Sequence, residues 1–408
     1  MKLRSIRSSF RRLRFFWSLL SAYSFSGLAV AQDALSDLPS GFYEFTAGVI
    51  GEEEEQSIGN LDLKLSITTL YDTNVTQGNK IGPRSQKSDF LVQPTLAGSY
   101  KIGPGNWQLG ITGSYGTIDY LETDGFNATT YSAGLLGRYQ TEKVTASLKT
   151  GYSSNAGVNI LAGAFLEQKN FLSSAKIDYR LSSKTSAEVF WTHLSTTNET
   201  EGFVDISSNN LNAAALWQAT PLVRLGPGFR YGVRTGFDDA KFTVAGPLLR
   251  ADYNLSAKID LTSSVGLDFS DSPDGEDELL NWRVGLNYRV SMLWGVSLNM
   301  VRDTQANLIT GGGFDQISSY QLGYNRKIRS ASLQLGVAYI DRDPQGAAGV
   351  PLGFRDSTSV DYTASLSFPI YGDEVDLNIN LAWRDFKTAE ILQSWDGFQS
   401  GLSVAWGF

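Results

Sequence analysis

From Leu61 onward the chain alternates between apolar and polar positions. In 143–153, Val144, Ala146, Leu148 and Tyr152 alternate with Thr145, Ser147, Lys149 and Gly151. In 258–270, Ile259, Leu261, Val265, Leu267 and Phe269 alternate with Asp260, Thr262, Ser264, Gly266 and Asp268. In 374–386, Val375, Leu377, Ile379, Leu381 and Trp383 alternate with Asp376, Asn378 and Asn380. A period of two is the signature of a strand with one face in an apolar medium and the other in a polar one. Eighteen segments read this way: 60–71, 88–102, 106–119, 129–140, 143–153, 168–181, 185–195, 207–219, 222–234, 243–255, 258–270, 278–290, 293–302, 315–328, 331–341, 358–370, 374–386 and 396–408. Each has the length that a tilted membrane-spanning strand needs.

Alternation also suits a soluble sandwich, and connection lengths separate the two. Tight turns (Gly103-Pro104-Gly105, Ser182-Ser183-Lys184, Thr220-Pro221, Ser256-Ala257, Ser291-Met292, Arg329-Ser330) alternate with longer loops (72–87, 196–206, 303–314, 342–357). Short turns at one end and long loops at the other is the outer-membrane arrangement. The expected fold is therefore all-β: a single antiparallel transmembrane barrel of about 18 strands, with an even count that puts both termini on the periplasmic, short-turn side.

The final strand fits a barrel that must close. Phe398, Leu402, Val404, Trp406 and Phe408 share one face, and Gln399, Gly401, Ser403, Ala405 and Gly407 the other. Trp406 and Phe408 resemble the C-terminal insertion signal of bacterial outer-membrane barrels, which implies the barrel-assembly machinery as a partner. Outward aromatics recur in pairs about eight residues apart: Tyr131 and Tyr139, Trp107 and Tyr115, Phe171 and Tyr179. Eight residues at about 3.3 Å rise and roughly 40° tilt project to about 20 Å, near the apolar height of such barrels. Two interfacial girdles follow, with Trp217, Tyr288, Trp294 and Tyr324 in the periplasmic one and Trp191, Tyr320, Tyr339, Tyr362 and Trp383 in the outer one. Pro94, Pro227, Pro247 and Pro369 fall inside strands. A closed barrel has no edge to excuse a missing N–H, so a bulge or break is expected where Pro227 and Pro247 sit on adjacent strands.

Composition narrows the picture. Beyond the N-terminus no apolar run reaches the length of a transmembrane helix. Residues 1–31 read as a signal peptide, with Lys2, Arg4, Arg7, Arg11, Arg12 and Arg14 before an apolar core and Ala29-Val30-Ala31 as the cleavage site. Its removal leaves 34 − 6 = 28 basic against 42 acidic residues, a net charge of −14. That balance argues against a nucleic-acid partner. It suits a surface among lipopolysaccharides, held to other polyanions by divalent cations. Residues 32–59, with the acidic run Glu52 to Glu55, read as a periplasmic lead-in, and 60–408 as the barrel. The absence of Cys removes thiol and disulfide chemistry.

The first hairpin carries Leu70-Tyr71-Asp72-Thr73-Asn74-Val75, a polar loop, then Ser88-Asp89-Phe90-Leu91-Val92-Gln93-Pro94-Thr95-Leu96. This resembles the opening of a family of bacterial outer-membrane β-barrel porins, in which Tyr-Asp-x-Asn-Val precedes Ser-Asp-Phe and a Pro in the second strand. The likeness implies one large barrel, and some members of that family are linked to exopolysaccharide production. Outside this stretch the similarity is one of architecture.

The inward parity gives the pore-lining candidates. They are Arg138, Lys149, Arg180, Arg224, Arg230, Arg250, Arg283 and Arg289 on the basic side, and Glu188, Asp252, Asp260 and Asp376 on the acidic side. Arg224, Arg230, Arg250, Arg283 and Arg289 crowd into neighbouring strands. An arginine-rich wall would create a transverse field and an anion preference; the alternative is that these charges pair locally. Catalysis is not expected. Barrel hydrolases use a His base, and His193, the only His, falls on the outward parity among girdle residues. No metal cluster, phosphate loop or cofactor fingerprint occurs. The expected function is a porin-like channel for small hydrophilic solutes in the outer membrane of a Gram-negative-type bacterium. Export of an exopolysaccharide, or a closed surface barrel, are the alternatives. A polysaccharide path calls for lumen aromatics, whereas most aromatics here fall on the lipid parity, Phe190 excepted.

Overall fold

A computed structural model describes residues 61–77, 86–103, 105–159, 164–200, 205–235, 241–272, 275–306, 314–345, 356–371, 374–388 and 394–408. The expected signal peptide and lead-in, including Glu52 to Glu55, lie outside these residues. Eighteen strands follow in order. They are β1 (Leu61–Asp72), β2 (Asp89–Ile102), β3 (Trp107–Tyr120), β4 (Ala128–Gln140), β5 (Val144–Asn159) and β6 (Ala164–Arg180). Next come β7 (Thr185–Asn198), β8 (Ile206–Gln218), β9 (Val223–Thr235), β10 (Lys241–Ser256), β11 (Ile259–Ser272) and β12 (Gly275–Ser291). The last are β13 (Trp294–Ala306), β14 (Phe314–Ile328), β15 (Ala331–Gln345), β16 (Ser357–Tyr371), β17 (Val375–Thr388) and β18 (Trp395–Gly407).

Each strand pairs antiparallel with its sequence neighbours, and β1 also pairs with β18 from Lys64↔Gly407 to Asp72↔Gln399. The sheet is thus a closed 18-stranded antiparallel β-barrel. At the seam the Phe408 amide donates to the Leu63 carbonyl at 2.8 Å, and Thr68 Oγ1 donates to Ser403 Oγ at 3.0 Å.

Alternation sorts the two faces as expected. Leu65, Leu96, Ile111, Leu135, Leu148, Ile177, Leu211, Leu249, Leu267, Leu322, Leu381 and Leu402 are all exposed on the outer face. Serine or threonine opens many of the tight turns and accepts from amides two or three residues on. Thr141 Oγ1 binds the Val144 amide, Ser182 Oγ those of Lys184 and Thr185, Thr220 Oγ1 those of Leu222 and Val223. Ser256 and Ser291 repeat the device with Lys258 and Leu293. Arg329 turns its corner at φ 57°, a left-handed conformation that favours glycine.

At the loop end the ladder runs beyond the expected limits. β5 and β6 remain paired through Asn159↔Ala164, and β14 and β15 through Phe314↔Gln345. The expected loops 196–206, 303–314 and 342–357 shrink accordingly. Three of the four strand prolines leave a gap in the ladder and the fourth a register shift. Pro227 and Pro247 do disturb the ladder, but β9 and β10 pair continuously past both. The missing rows lie on the outer flanks instead. Pairing between β8 and β9 skips from Ala214↔Gly228 to Trp217↔Leu225, and between β10 and β11 from Ala245↔Phe269 to Leu248↔Gly266. Pro94 leaves a similar gap between Val92↔Asp119 and Thr95↔Gly116, and Pro369 precedes a register shift. A proline has one donor to lose, and here each costs pairing on only one side.

Candidate functional site

The expected girdles are present as ring contacts on the outer face. Toward the loop end, Trp282, Tyr320 and Tyr339 form a chain with centroids 6.2 and 6.0 Å apart, and Tyr362 meets Trp383 at 5.4 Å. Tyr131 meets Tyr152 at 6.1 Å in the same belt. Toward the turn end Trp294 meets Tyr324 at 6.0 Å, and Trp107 lies opposite Tyr139. His193 sits between Phe171 and Trp191, and its Nδ1 lies 3.0 Å from Asn209 Oδ1.

The motif that carries the family resemblance knits the loop-end rim together. Asp72 accepts from the Asn74 amide (2.7 Å) and from Gln399 Nε2 (2.7 Å). Asn74, buried, donates through Nδ2 to the Asp396 carbonyl at 2.9 Å, and the Thr73 amide donates to the Phe398 carbonyl at 3.0 Å. The motif therefore stitches β1 to β18 above the seam. Asp89, also buried, accepts from the amides of Phe90, Glu122 and Thr123 and so holds the β3–β4 connection.

Every pore-lining candidate lies on the parity opposite the exposed apolar residues of its strand. The structure brings some of them together. At the turn-end half, Glu188 on β7 binds both Arg224 on β9 (3.0 Å) and Arg250 on β10 (2.6 Å). Asp252 on β10 binds the same two arginines at 2.6 and 3.0 Å. Lys176 and Asp178, 3.3 Å apart, extend this group. Nearer the loop end, Arg230 on β9 binds Asp268 on β11 (3.2 Å) and Asp303 on β13 (2.5 Å), while Arg234 donates to the Thr304 carbonyl and sits over Phe242. Arg289 pairs with Asp260 at 3.0 Å, and Arg138 donates to Gln140 at 2.9 Å. Arg283 on β12 lies within electrostatic reach of Asp303 and so joins the second group, while Lys149, Arg180 and Asp376 occupy inner positions elsewhere on the wall. The expected arginine-rich wall is thus largely neutralised in place. Asp268 was expected on this face from the parity of its strand; Asp303, which completes the second group, was not, because 303–314 read as a loop.

Two of these contacts span more of the wall than flat strands allow. β9 and β13 are four strands apart, about 19 Å along a sheet at about 4.8 Å per strand, yet Arg230 and Asp303 touch. The cause lies in a repeated element, Gly226-Pro227-Gly228-Phe229-Arg230 on β9 and Gly246-Pro247-Leu248-Leu249-Arg250 on β10. Antiparallel register sets Gly246 opposite Arg230 and Gly226 opposite Arg250. Each arginine lies beside the other strand's bare glycine and reaches past it to carboxylates beyond. At both glycines the outer neighbour folds toward the lumen: a Cβ on Gly226 would lie 1.8 Å from the Ala215 carbonyl oxygen, and one on Gly246 1.8 Å from that of Leu267. The wall is creased along both flanks of the β9–β10 hairpin. The repeated Gly-Pro-x-x-Arg spacing was the available sequence signal.

The inner face also carries more aromatics than parity suggested. Phe242, Phe386 and Trp395 lie on it, all buried against neighbours, with Phe386 and Trp395 6.0 Å apart. Buried rings offer no open platform for sugar stacking. Among the described residues no group of His, Cys, Asp and Glu is arranged to hold a metal.

No protein-family model matches the chain, and no curated protein matches it. Solved structures that resemble it include OpdL of Pseudomonas aeruginosa, with 15% identity, coverage of 86% of this chain and 98% of that one, and a TM-score of 0.43. OccAB3 of Acinetobacter baumannii has 12% identity, 86% and 99% coverage, and a TM-score of 0.44. The FrpB iron transporter of Neisseria meningitidis has 10% identity, 93% and 83% coverage, and a TM-score of 0.46. At such values none of these proteins lends the chain a function.

Proposed function

We propose that this protein is an outer-membrane channel of porin type that passes small hydrophilic solutes passively. The observation that carries the reading is a barrel closed on itself whose outer face is apolar all round and ringed by aromatics, while its inner face is predominantly polar. Closure satisfies every strand edge, which is what a bilayer requires of a β-structure, and the belts suit its two interfaces. Lipid and lipopolysaccharide would meet the outer face, and the strand ending at Trp406 and Phe408 would engage the assembly machinery. Because Arg224, Arg230, Arg250 and Arg289 are each paired with carboxylates, the channel should discriminate by size more than by charge.

The test is single-channel conductance of the refolded mature protein in planar bilayers, with ion selectivity from reversal potentials. Stable openings with weak selectivity are expected. Absence of conductance from a correctly folded barrel would turn the reading to polysaccharide export or a closed surface barrel.

A further inference from the structure

We propose that the constriction of this channel is built into its wall, where β8 and β11, the strands flanking the β9–β10 hairpin, fold inward over its paired Gly-Pro steps and are strapped there by Arg230 and Arg250. The inference rests on the channel reading and names the residues that would set its size limit. Three independent observations converge. The ladder is interrupted on the two outer flanks of the hairpin and nowhere within it. The glycines at the interruptions are approached by neighbouring carbonyl oxygens to distances that exclude any Cβ. The arginines opposite those glycines cross them in opposite directions, Arg250 toward Glu188 on β7 and Arg230 toward Asp268 and Asp303 on β11 and β13.

The arrangement has an approximate twofold logic. In an antiparallel pair, a residue at one position of strand one faces its counterpart on strand two. A Gly followed four residues later by Arg on each strand therefore puts each arginine beside the other's gap. Removal of the side chain at the gap does two things at once: it lets the flanking strand fold inward, and it lets the arginine pass over. A guanidinium is suited to this work because its planar fork reaches two carboxylates while staying charged. The strands themselves would narrow the lumen, and the straps would hold the cross-section away from round.

The experiment compares wild type with Arg230→Gln/Arg250→Gln in planar bilayers, measuring conductance and the largest neutral polyethylene glycol that enters. Release of the straps should raise conductance roughly twofold or more, as a wider lumen demands, and shift the polymer limit upward. Lys387→Gln, at an exposed pair with Asp385 remote from the hairpin, should change neither. A folded double variant with unchanged conductance and polymer limit overturns the proposal. If the double variant does not fold, Asp303→Asn alone frees the far strap while Asp268 still holds Arg230. A second readout needs no conductance: spin labels at Tyr231→Cys and Met300→Cys, in a chain with no native Cys, report the span from β9 to β13. A longer span in the Asp303→Asn background supports the strap, and an identical span refutes it. Silence of the wild type with a strap-dependent span would retire the channel reading and leave the creased wall standing.

Discussion

Side chains on the two faces of a strand meet different solvents, and β11 offers a clean comparison. Leu267 is exposed on the outer face beside Leu280, and Ser264 lies on the inner face. Leu267→Arg should cost roughly 2–4 kcal/mol if it lies near the bilayer midplane. Ser264→Gln, between Arg250 and Arg283 on the inner face, should cost far less, because its amide meets polar surroundings. Denaturant unfolding in detergent or lipid checks both, and equal penalties would refute the assignment of faces. At the rim, Asp89→Ala strips acceptors from the amides of Phe90, Glu122 and Thr123. A loss of about 1–3 kcal/mol is expected for groups left unsatisfied, with conductance near wild type, since this carboxylate organises a connection and not the lumen. Single-channel recording alongside thermal unfolding followed by circular dichroism would separate the two effects.

Among elements, the strands were legible and the creases were not. Alternation depends on a difference between the two media. It therefore located all eighteen strands but lost their loop ends, where both faces meet water and Asn155, Gly157 and Glu167 follow no period even though hydrogen bonding continues. The prolines signalled disturbed pairing, yet which flank would break depends on which neighbour the missing amide had faced. Parity placed Arg230 on the inner face but could not pair it with Asp303, because strands four apart come within reach only after the wall has folded. Gly226→Ala and Gly246→Ala test the folding directly. Each added methyl would collide with a backbone carbonyl, so the yield of folded barrel on refolding should be markedly depleted, whereas Gly157→Ala, with nothing near its Cβ position, should be tolerated. Arg329→Gly should stabilise by about 1 kcal/mol, since glycine adopts the left-handed turn without the cost an L side chain carries.

For the whole molecule, one pairing differs in kind from the rest. Strands that are consecutive in the chain can form hairpins as soon as they meet, but β1 and β18 join residues more than three hundred positions apart, Thr68 with Ser403 among them. Loop-closure entropy makes such a contact late. Until it forms, the chain is an open sheet with two unsatisfied edges, each a template for a wrong partner. Folding should therefore show a slow final phase that depends on the seam and its rim stitches at Asp72 and Asn74. Weakening those stitches would prolong the life of the open sheet, and with it the window in which two copies can zip together edge to edge.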